Sequence, residues 1–181
     1  LYADRLYLNN GSGNFTSSPI PQIWSNTLAV EAIDIDGDQD IDLVLGGNVV
    51  PKNFPIAYSS YVLVNDGKGD FKLSSSALPN EGNIGIVNDI ATMDINSDGK
   101  PDIITAGHCT PIQIFINKGG SFENQTRNND LQNSSGLWNC MSIMDVNGDG
   151  KKDIVGGNRG LNNFFQCSPD KPATLYYDDF D

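Results

Sequence analysis

The chain has 181 residues, of which 38% are hydrophobic and 19% are charged, with 19 glycines and 9 prolines. These proportions are typical of a globular, turn-rich protein with a core of its own. The formal net charge of −12 excludes a nucleic-acid-binding role, because DNA- and RNA-binding surfaces are basic. No run of 18 or more apolar residues occurs, so the sequence predicts no membrane span.

The first predicted element in chain order is a hairpin. An apolar run is followed by a glycine-rich turn and an aromatic residue in "LYLNNGSGNF" at 6–15. The same arrangement returns in "VLVNDGKGDF" at 62–71 and "IFINKGGSF" at 114–122. Because glycine supplies the positive φ that tight hairpins require, each unit is predicted to fold as strand, turn and strand.

Acidic segments lie between these hairpins. Three of them align without a gap: "DIDGDQDIDL" at 34–43, "DINSDGKPDI" at 94–103 and "DVNGDGKKDI" at 145–154. Two carboxylates about 4 Å apart repel by about 1 kcal/mol in water and by about 4 kcal/mol at an effective dielectric near 20. An ordered loop of this kind therefore needs a cation. The alternative is a metal-free, solvated acidic turn, and three matching copies argue against it.

Oxygen-bearing side chains recur at positions 1, 3, 5 and 9 of each segment, counted from its first aspartate. Position 7 changes from aspartate to lysine, as expected if only its backbone carbonyl is a ligand. Hard oxygen ligands without histidine or cysteine indicate calcium. The predicted ligands are Asp34, Asp36, Asp38, Asp40 and Asp42; Asp94, Asn96, Asp98, Lys100 and Asp102; and Asp145, Asn147, Asp149, Lys151 and Asp153.

An EF-hand is the nearest alternative loop, and two features exclude it. Position 12 holds Leu45, Thr105 or Gly156 instead of the required glutamate. The flanks are also predicted as strands, with "LAVEAI" before the first loop and "DLVLGG", "DIITAG" and "DIVGG" after the three. Since each loop encloses its ion and joins two strands, we expect three structural calcium ions.

The two kinds of segment repeat together about every 50 to 60 residues. One unit contains a strand, a calcium loop, a strand, a connection and a hairpin, which is the length and strand count of a propeller blade. The sequence therefore predicts an all-β fold of β-propeller blades with four antiparallel strands, and calcium loops between first and second strands. The predicted units are a partial blade over 1–20, blades over 21–80 and 81–130, an irregular blade over 131–172 and a truncated start of the next over 173–181.

The loop segments with their following strands, such as "DINSDGKPDIITAG", resemble the FG-GAP or VCBS repeats of integrin-type β-propellers. The connecting segments, such as "GGNVVPKNFP" and "PIQIFINKGGSFENQT", resemble VCBS-repeat proteins of Bacteroidetes-type bacteria, related to the ASPIC/UnbV group. The resemblance implies an exported propeller at an extracellular, cell-surface or periplasmic location. We expect the chain to be a fragment of a larger propeller, seven-bladed or similar, with the remaining blades of the same longer chain as partners.

Longer, irregular segments are predicted on the face opposite the calcium loops. Aromatic, asparagine and arginine side chains on loops of a rigid scaffold are typical of sites that bind a glycan or a protein. The ligand-face candidates are Trp24, Asn48, His108, Trp138 and Arg159. The alternative for both tryptophans is packing between blades.

Catalysis has little support in the sequence. The single histidine, His108, has no serine nucleophile motif beside it, and the acidic clusters are assigned to metal. No catalytic residue is predicted, although the propeller part of a polysaccharide lyase or other carbohydrate-active enzyme stays open as an alternative by fold analogy. The three cysteines, Cys109, Cys140 and Cys167, allow one disulfide or isolated buried thiols.

Overall fold

The computed structural model describes residues 3–160, and these residues form strands joined by turns, with two short 3-10 turns and no α-helix. Within this range no helix has the length and hydropathy needed to cross a membrane. The strands are β1 Leu6–Asn9, β2 Phe15–Ser18, β3 Thr27–Ile33, β4 Asp42–Gly47, β5 Tyr61–Asn65, β6 Phe71–Ser74, β7 Asp89–Met93, β8 Asp102–Ala106, β9 His108–Thr110, β10 Gln113–Asn117, β11 Phe122–Asn124, β12 Gly136–Met144 and β13 Asp153–Asn158. The 3-10 turns are Pro79–Gly82 and Thr126–Asn129.

The strands of residues 3–160 form four antiparallel sheets. The first blade has the order β3-β4-β5-β6, and the second has the order β7-β8-β10-β11. The strands β13, β12 and β9 form a third sheet, and β1 pairs with β2 in a separate hairpin. The all-β fold of four-stranded antiparallel blades that the sequence predicts is confirmed, whereas the unit boundaries stay a prediction.

The alternating direction of side chains along a strand explains how the blades stack. In the central strand β8, Ile103 and Ile104 are both fully buried, and successive residues of a strand point to opposite faces. Ile103 packs in a core with residues of the first blade, such as Val44 and Val62. Ile104 packs in a second core, against which Trp138 of the third sheet is placed. The sheets therefore stack face to face, with β8 contributing to both cores.

Glycines at the ends of the second strands let the following connections approach closely. A Cβ on Gly47 would overlap the carbonyl oxygen of Tyr58, and one on Gly107 would overlap that of Ile86. The amide of Val87 donates a 2.9 Å hydrogen bond to the carbonyl of Gly47. Glycine is required at both sites because any side chain would push the connection away from the blade.

The connection between β8 and β10 contains a short strand of its own. His108 and Cys109 lie there in β9, which pairs with β12 of the third sheet. Cys109 has a left-handed backbone with φ 61°, and Cys140 lies within β12. Both thiols are free and exposed, so neither is the buried thiol that the sequence suggested. Cys167 and the predicted start of another blade at 173–181 lie outside the described residues.

Candidate metal sites

Each acidic loop connects the first and second strands of a sheet. The last backbone pairs before the three loops join Ile33 to Asp42, Met93 to Asp102 and Met144 to Asp153. Position 9 of each segment is therefore the first residue of the second strand. Strand pairing fixes the two ends of every loop and leaves residues 34–41, 94–101 and 145–152 to turn between them.

The position-9 aspartates are built into the sheets. Asp42 and Asp102 have no exposed surface. Oδ2 of Asp102 accepts the amide hydrogen of Ile95 at 2.8 Å, and Oδ1 accepts that of Asn117 at 2.8 Å. Asp42 makes the equivalent bonds, and Asp153 accepts the amide of Val146 at 3.0 Å. A buried carboxylate needs such donors, and here they tie the loop to the third strand.

The position-1 aspartates set the curvature of the loops. The Asp145 carboxylate accepts amide hydrogens from Gly148 at 2.7 Å and Gly150 at 2.8 Å. Asp34 accepts the corresponding bonds from positions 4 and 6 of its own loop, and Asp94 accepts bonds from positions 5 and 6. Positions 4 and 6 have positive φ in all three loops. These residues are Gly37, Gln39, Ser97, Gly99, Gly148 and Gly150.

The side chains at positions 3 and 5 continue the same pattern. The position-3 oxygen accepts the amide of position 5 in every loop, at 3.2, 3.0 and 2.9 Å. The position-5 carboxylate accepts the amide of position 7, at 2.8, 2.9 and 2.8 Å. In the second and third loops, the asparagine amide at position 3 also donates to the position-5 carboxylate. The three loops therefore share one internal architecture, although their sequences differ.

Carboxylate oxygens converge in the first loop. Ligand oxygens of Asp34, Asp36 and Asp42 lie within 4.8 Å of one another. Calcium binds oxygens at about 2.3–2.6 Å, so two ligands on opposite sides of one ion are about 5 Å apart, and this spacing fits. Asp38, predicted as a ligand at position 5, is not part of this group. The Asp40 carboxylate packs against Gly67, so this side chain turns to the neighbouring hairpin.

The loops differ in electrostatics. Loss of hydration raises the pKa of Asp36, and the charges of Asp38 and Asp42 raise it further. Loss of hydration also raises the pKa of Asp40, with added repulsion from Asp38. In the second loop, the amide of Lys100 is the main cause that lowers the pKa of Asp98. The ionised forms of Asp36 and Asp40 are therefore disfavoured, whereas that of Asp98 is favoured, and the first loop has aspartate at position 7 where the others have lysine.

Two of the predicted ligand-face residues connect neighbouring sheets. The Asn48 amide donates to the carbonyl of Val87 at 3.2 Å and to Oδ1 of Asn88 at 2.8 Å. Trp138 is half-buried against the second core, and its indole donates to the carbonyl of Ser134 at 2.9 Å. Packing between blades, the alternative for the tryptophans, therefore describes Trp138.

The other three candidates lie at the surface to different degrees. Trp24 is 78% exposed. The Nε2 atom of half-buried His108 lies 3.1 Å from Oδ1 of Asn139. Arg159 is exposed, and its backbone amide donates to the carbonyl of Leu137 at 3.0 Å. The structure therefore does not bring the five candidates together in one site.

A cavity that no sequence motif predicted lies at the end of the first blade opposite its acidic loop. The cavity has a volume of 490 Å³ and lies between the start of β5, the end of β6 and the turn at Pro79–Gly82. The only sequence signal is a high local frequency of serine, in "YSSY" and "LSSSALPNEG". Such a signal is weak, because serine-rich segments are also ordinary surface loops.

Stacked four-stranded antiparallel sheets, with one shared loop architecture after each first strand, define a β-propeller type of protein. Residues 94–156 match the family described as FG-GAP-like repeat. The chain thus contains an FG-GAP-like repeat, which extends from the second acidic loop into β13, and this recognition from sequence is confirmed. The finer likeness to Bacteroidetes-type and ASPIC/UnbV proteins stays a prediction. No curated protein matches the chain.

Proposed function

We propose that the chain is a calcium-binding, extracellular β-propeller module that binds a glycan or protein ligand through the face opposite the acidic loops. The observation that carries the calcium part is the hydrogen-bond pattern shared by the three loops, with three carboxylates of the first loop within 4.8 Å of one another. Each loop would bind one ion through positions 1, 3, 5 and 9 and the carbonyl of position 7. Calcium fits better than magnesium, which needs a smaller octahedral shell at about 2.1 Å.

The proposed ions are structural. All ligands of one ion come from a single loop, and the buried position-9 carboxylate links that loop to the third strand of its blade. The metal would therefore stabilise a strand junction. An extracellular location suits such sites, because calcium there reaches millimolar concentrations that occupy sites of modest affinity.

Exposed apolar side chains support partner blades as part of this function. Leu28 and Val30 project from β3 with 60% and 57% exposure. Met144 and Val155 are also exposed, on the third sheet. Propeller blades cover such faces by stacking, so we propose that further blades of a longer chain pack there.

Calorimetric titration tests the metal proposal. We expect three calcium ions per chain and a clear preference for calcium over magnesium. Asp98→Ala should remove one site, whereas Lys100→Ala in the same loop should keep all three because only its carbonyl is used. No binding, or equal affinity for magnesium, would contradict the proposal.

A further inference from the structure

Among residues 3–160, the 490 Å³ cavity is lined by hydroxyl groups, one carboxylate and the side chains of Leu73 and Leu78. Its volume lies within the range of about 300–1,000 Å³ typical of small-molecule sites. The polar side chains that line it are Ser59, Tyr61, Ser74, Ser75, Ser76 and Glu81. Tyr61 and Ser74 belong to β5 and β6, Ser59 precedes β5, Ser75 and Ser76 follow β6, and Glu81 lies in the turn that leads to the second blade.

These polar groups are available to a ligand. Within residues 3–160, no protein hydrogen bond involves the five hydroxyls or the Glu81 carboxylate. Ser60 is the exception among the lining serines, because its buried Oγ accepts the amide of Gly47 at 3.0 Å. One serine therefore supports the fold, and the others present unused donors and acceptors to one cavity.

The wall that carries the carboxylate is held in a strained conformation. Asn80, Glu81 and Gly82 have consecutive left-handed backbones, with φ of 52°, 54° and 79°. A non-glycine residue in this conformation is unfavourable and persists where the surroundings fix it, often at a binding site. Here the amide of Ser60 donates to the carbonyl of Gly82 at 2.8 Å, and Asn83 donates to Asn80 at 3.0 Å. The turn thus fixes Glu81 at the cavity.

The lining chemistry selects the ligand class. Among residues 3–160, no lysine, arginine or histidine lines the cavity, which argues against an anionic ligand. Hydroxyls and one carboxylate suit a ligand that both donates and accepts many hydrogen bonds without charge. Leu73, 47% exposed, and the ring of half-buried Tyr61 offer apolar surface for the C–H face of a sugar ring.

We propose that this cavity is a binding site for a neutral oligosaccharide. The proposal rests on the proposed function and narrows it to one ligand class and one place on the face opposite the acidic loops. An extended peptide that pairs with β6, the outer strand of the first blade, is the competing occupant.

The test is an NMR titration of the isotope-labelled, calcium-loaded chain. The probes are neutral tetrasaccharides of glucose, mannose, galactose, xylose and N-acetylglucosamine, an acidic tetragalacturonate, and an unstructured peptide library. We expect at least one neutral tetrasaccharide to shift the amides of residues 59–61 and 73–82. Ser75→Tyr, which fills the cavity, and Glu81→Gln should each weaken that binding at least tenfold. Ser12→Tyr, on the remote β1–β2 turn, is the matched control and should leave it unchanged.

Three results would overturn the proposal. The first is that no neutral sugar binds, and the second is that Ser75→Tyr leaves sugar binding intact. The third is that the peptide or tetragalacturonate binds in the cavity in preference to the neutral sugars. Calcium titration of the same sample keeps the two proposals separable. Three bound calcium ions without sugar binding would refute the oligosaccharide proposal alone. Sugar binding by a chain that binds no calcium would refute the metal proposal alone.

Discussion

At the scale of single residues, the backbone of the loops matters as much as the ligand side chains. Positions 4 and 6 are left-handed in all three loops, yet Gln39 and Ser97 occupy two of these positions. The left-handed region costs a non-glycine residue about 1–2 kcal/mol. Because the same backbone forms around different residues, the side-chain oxygens that accept the loop amides impose the shape.

Replacing serine by glycine in the second loop should therefore relieve strain. We expect Ser97→Gly to raise the free energy of unfolding by up to about 1 kcal/mol, since the entropy of an unfolded glycine offsets part of the gain. Gly148→Ala, at the same position of the third loop, should lower it. Urea denaturation with excess calcium measures both, and a stabilising alanine would contradict the argument.

Position 9 has a second role that is independent of metal. Asp102 uses both carboxylate oxygens as acceptors for buried backbone amides. In Asp102→Asn, the side-chain NH2 group faces one of these donors and cannot accept its hydrogen bond. Leaving a buried donor without a partner costs about 1–3 kcal/mol. We expect this loss of stability with and without a chelator. Asp98→Asn, which changes an exposed carboxylate, is the control, and its cost should be confined to calcium-loaded protein.

At the scale of elements, the first loop is bonded to the second blade. The carbonyl of Ile35 accepts the side-chain amide of buried Asn117 at 2.9 Å and the backbone amide of Gly120 at 3.1 Å. Asn117 also donates to the carbonyl of Pro101 at 3.1 Å in its own blade. One side chain thus joins the acidic loops of neighbouring blades.

Removing that side chain should weaken the interface between the two blades. We expect Asn117→Ala to cost about 2–4 kcal/mol, because the Pro101 carbonyl loses this donor, the Ile35 carbonyl loses one of its two donors, and a small cavity forms. Asn65→Ala, at the matching position of the first blade, should cost less, since its side-chain amide donates within that blade, to the carbonyl of Ile41. Chemical denaturation followed by tryptophan fluorescence measures the costs, and equal effects would refute the coupling.

The regular elements are predictable from the sequence because their signals are local. Alternating apolar residues and glycine turns mark β5, β6 and β10, and the acidic spacing marks every first-to-second strand loop. The three residues of β9 are too few for a period, and their pairing with β12 depends on distant contacts. Asn48 and Trp138 have polar and aromatic side chains that suit ligands, so only their partners in the fold reveal structural roles.

At the scale of the whole molecule, charge dominates the response to metal. The three acidic segments contain eleven aspartates, and the net charge of −12 would fall to about −6 with three divalent ions bound. Chelation should therefore lower the melting temperature, because carboxylate repulsion returns and metal binding no longer favours the folded state. Added monovalent salt should restore part of the loss by screening. Calorimetry in EDTA and in calcium measures the shift, and an unchanged melting temperature with lost ligand binding would make the ions functional.

Because Ile103 and Ile104 place neighbouring residues of β8 in two different cores, that strand cannot open without disturbing both. Local opening should therefore follow an order, in which the edge hairpin β1–β2, with most of its side chains exposed, opens most often and β8 least. Slow hydrogen exchange in β8 would then report global unfolding alone. Because β8 contributes to both cores, the sheets packed on its two sides should unfold together as one cooperative unit. A truncation within either blade would therefore destabilise the neighbouring blade as well.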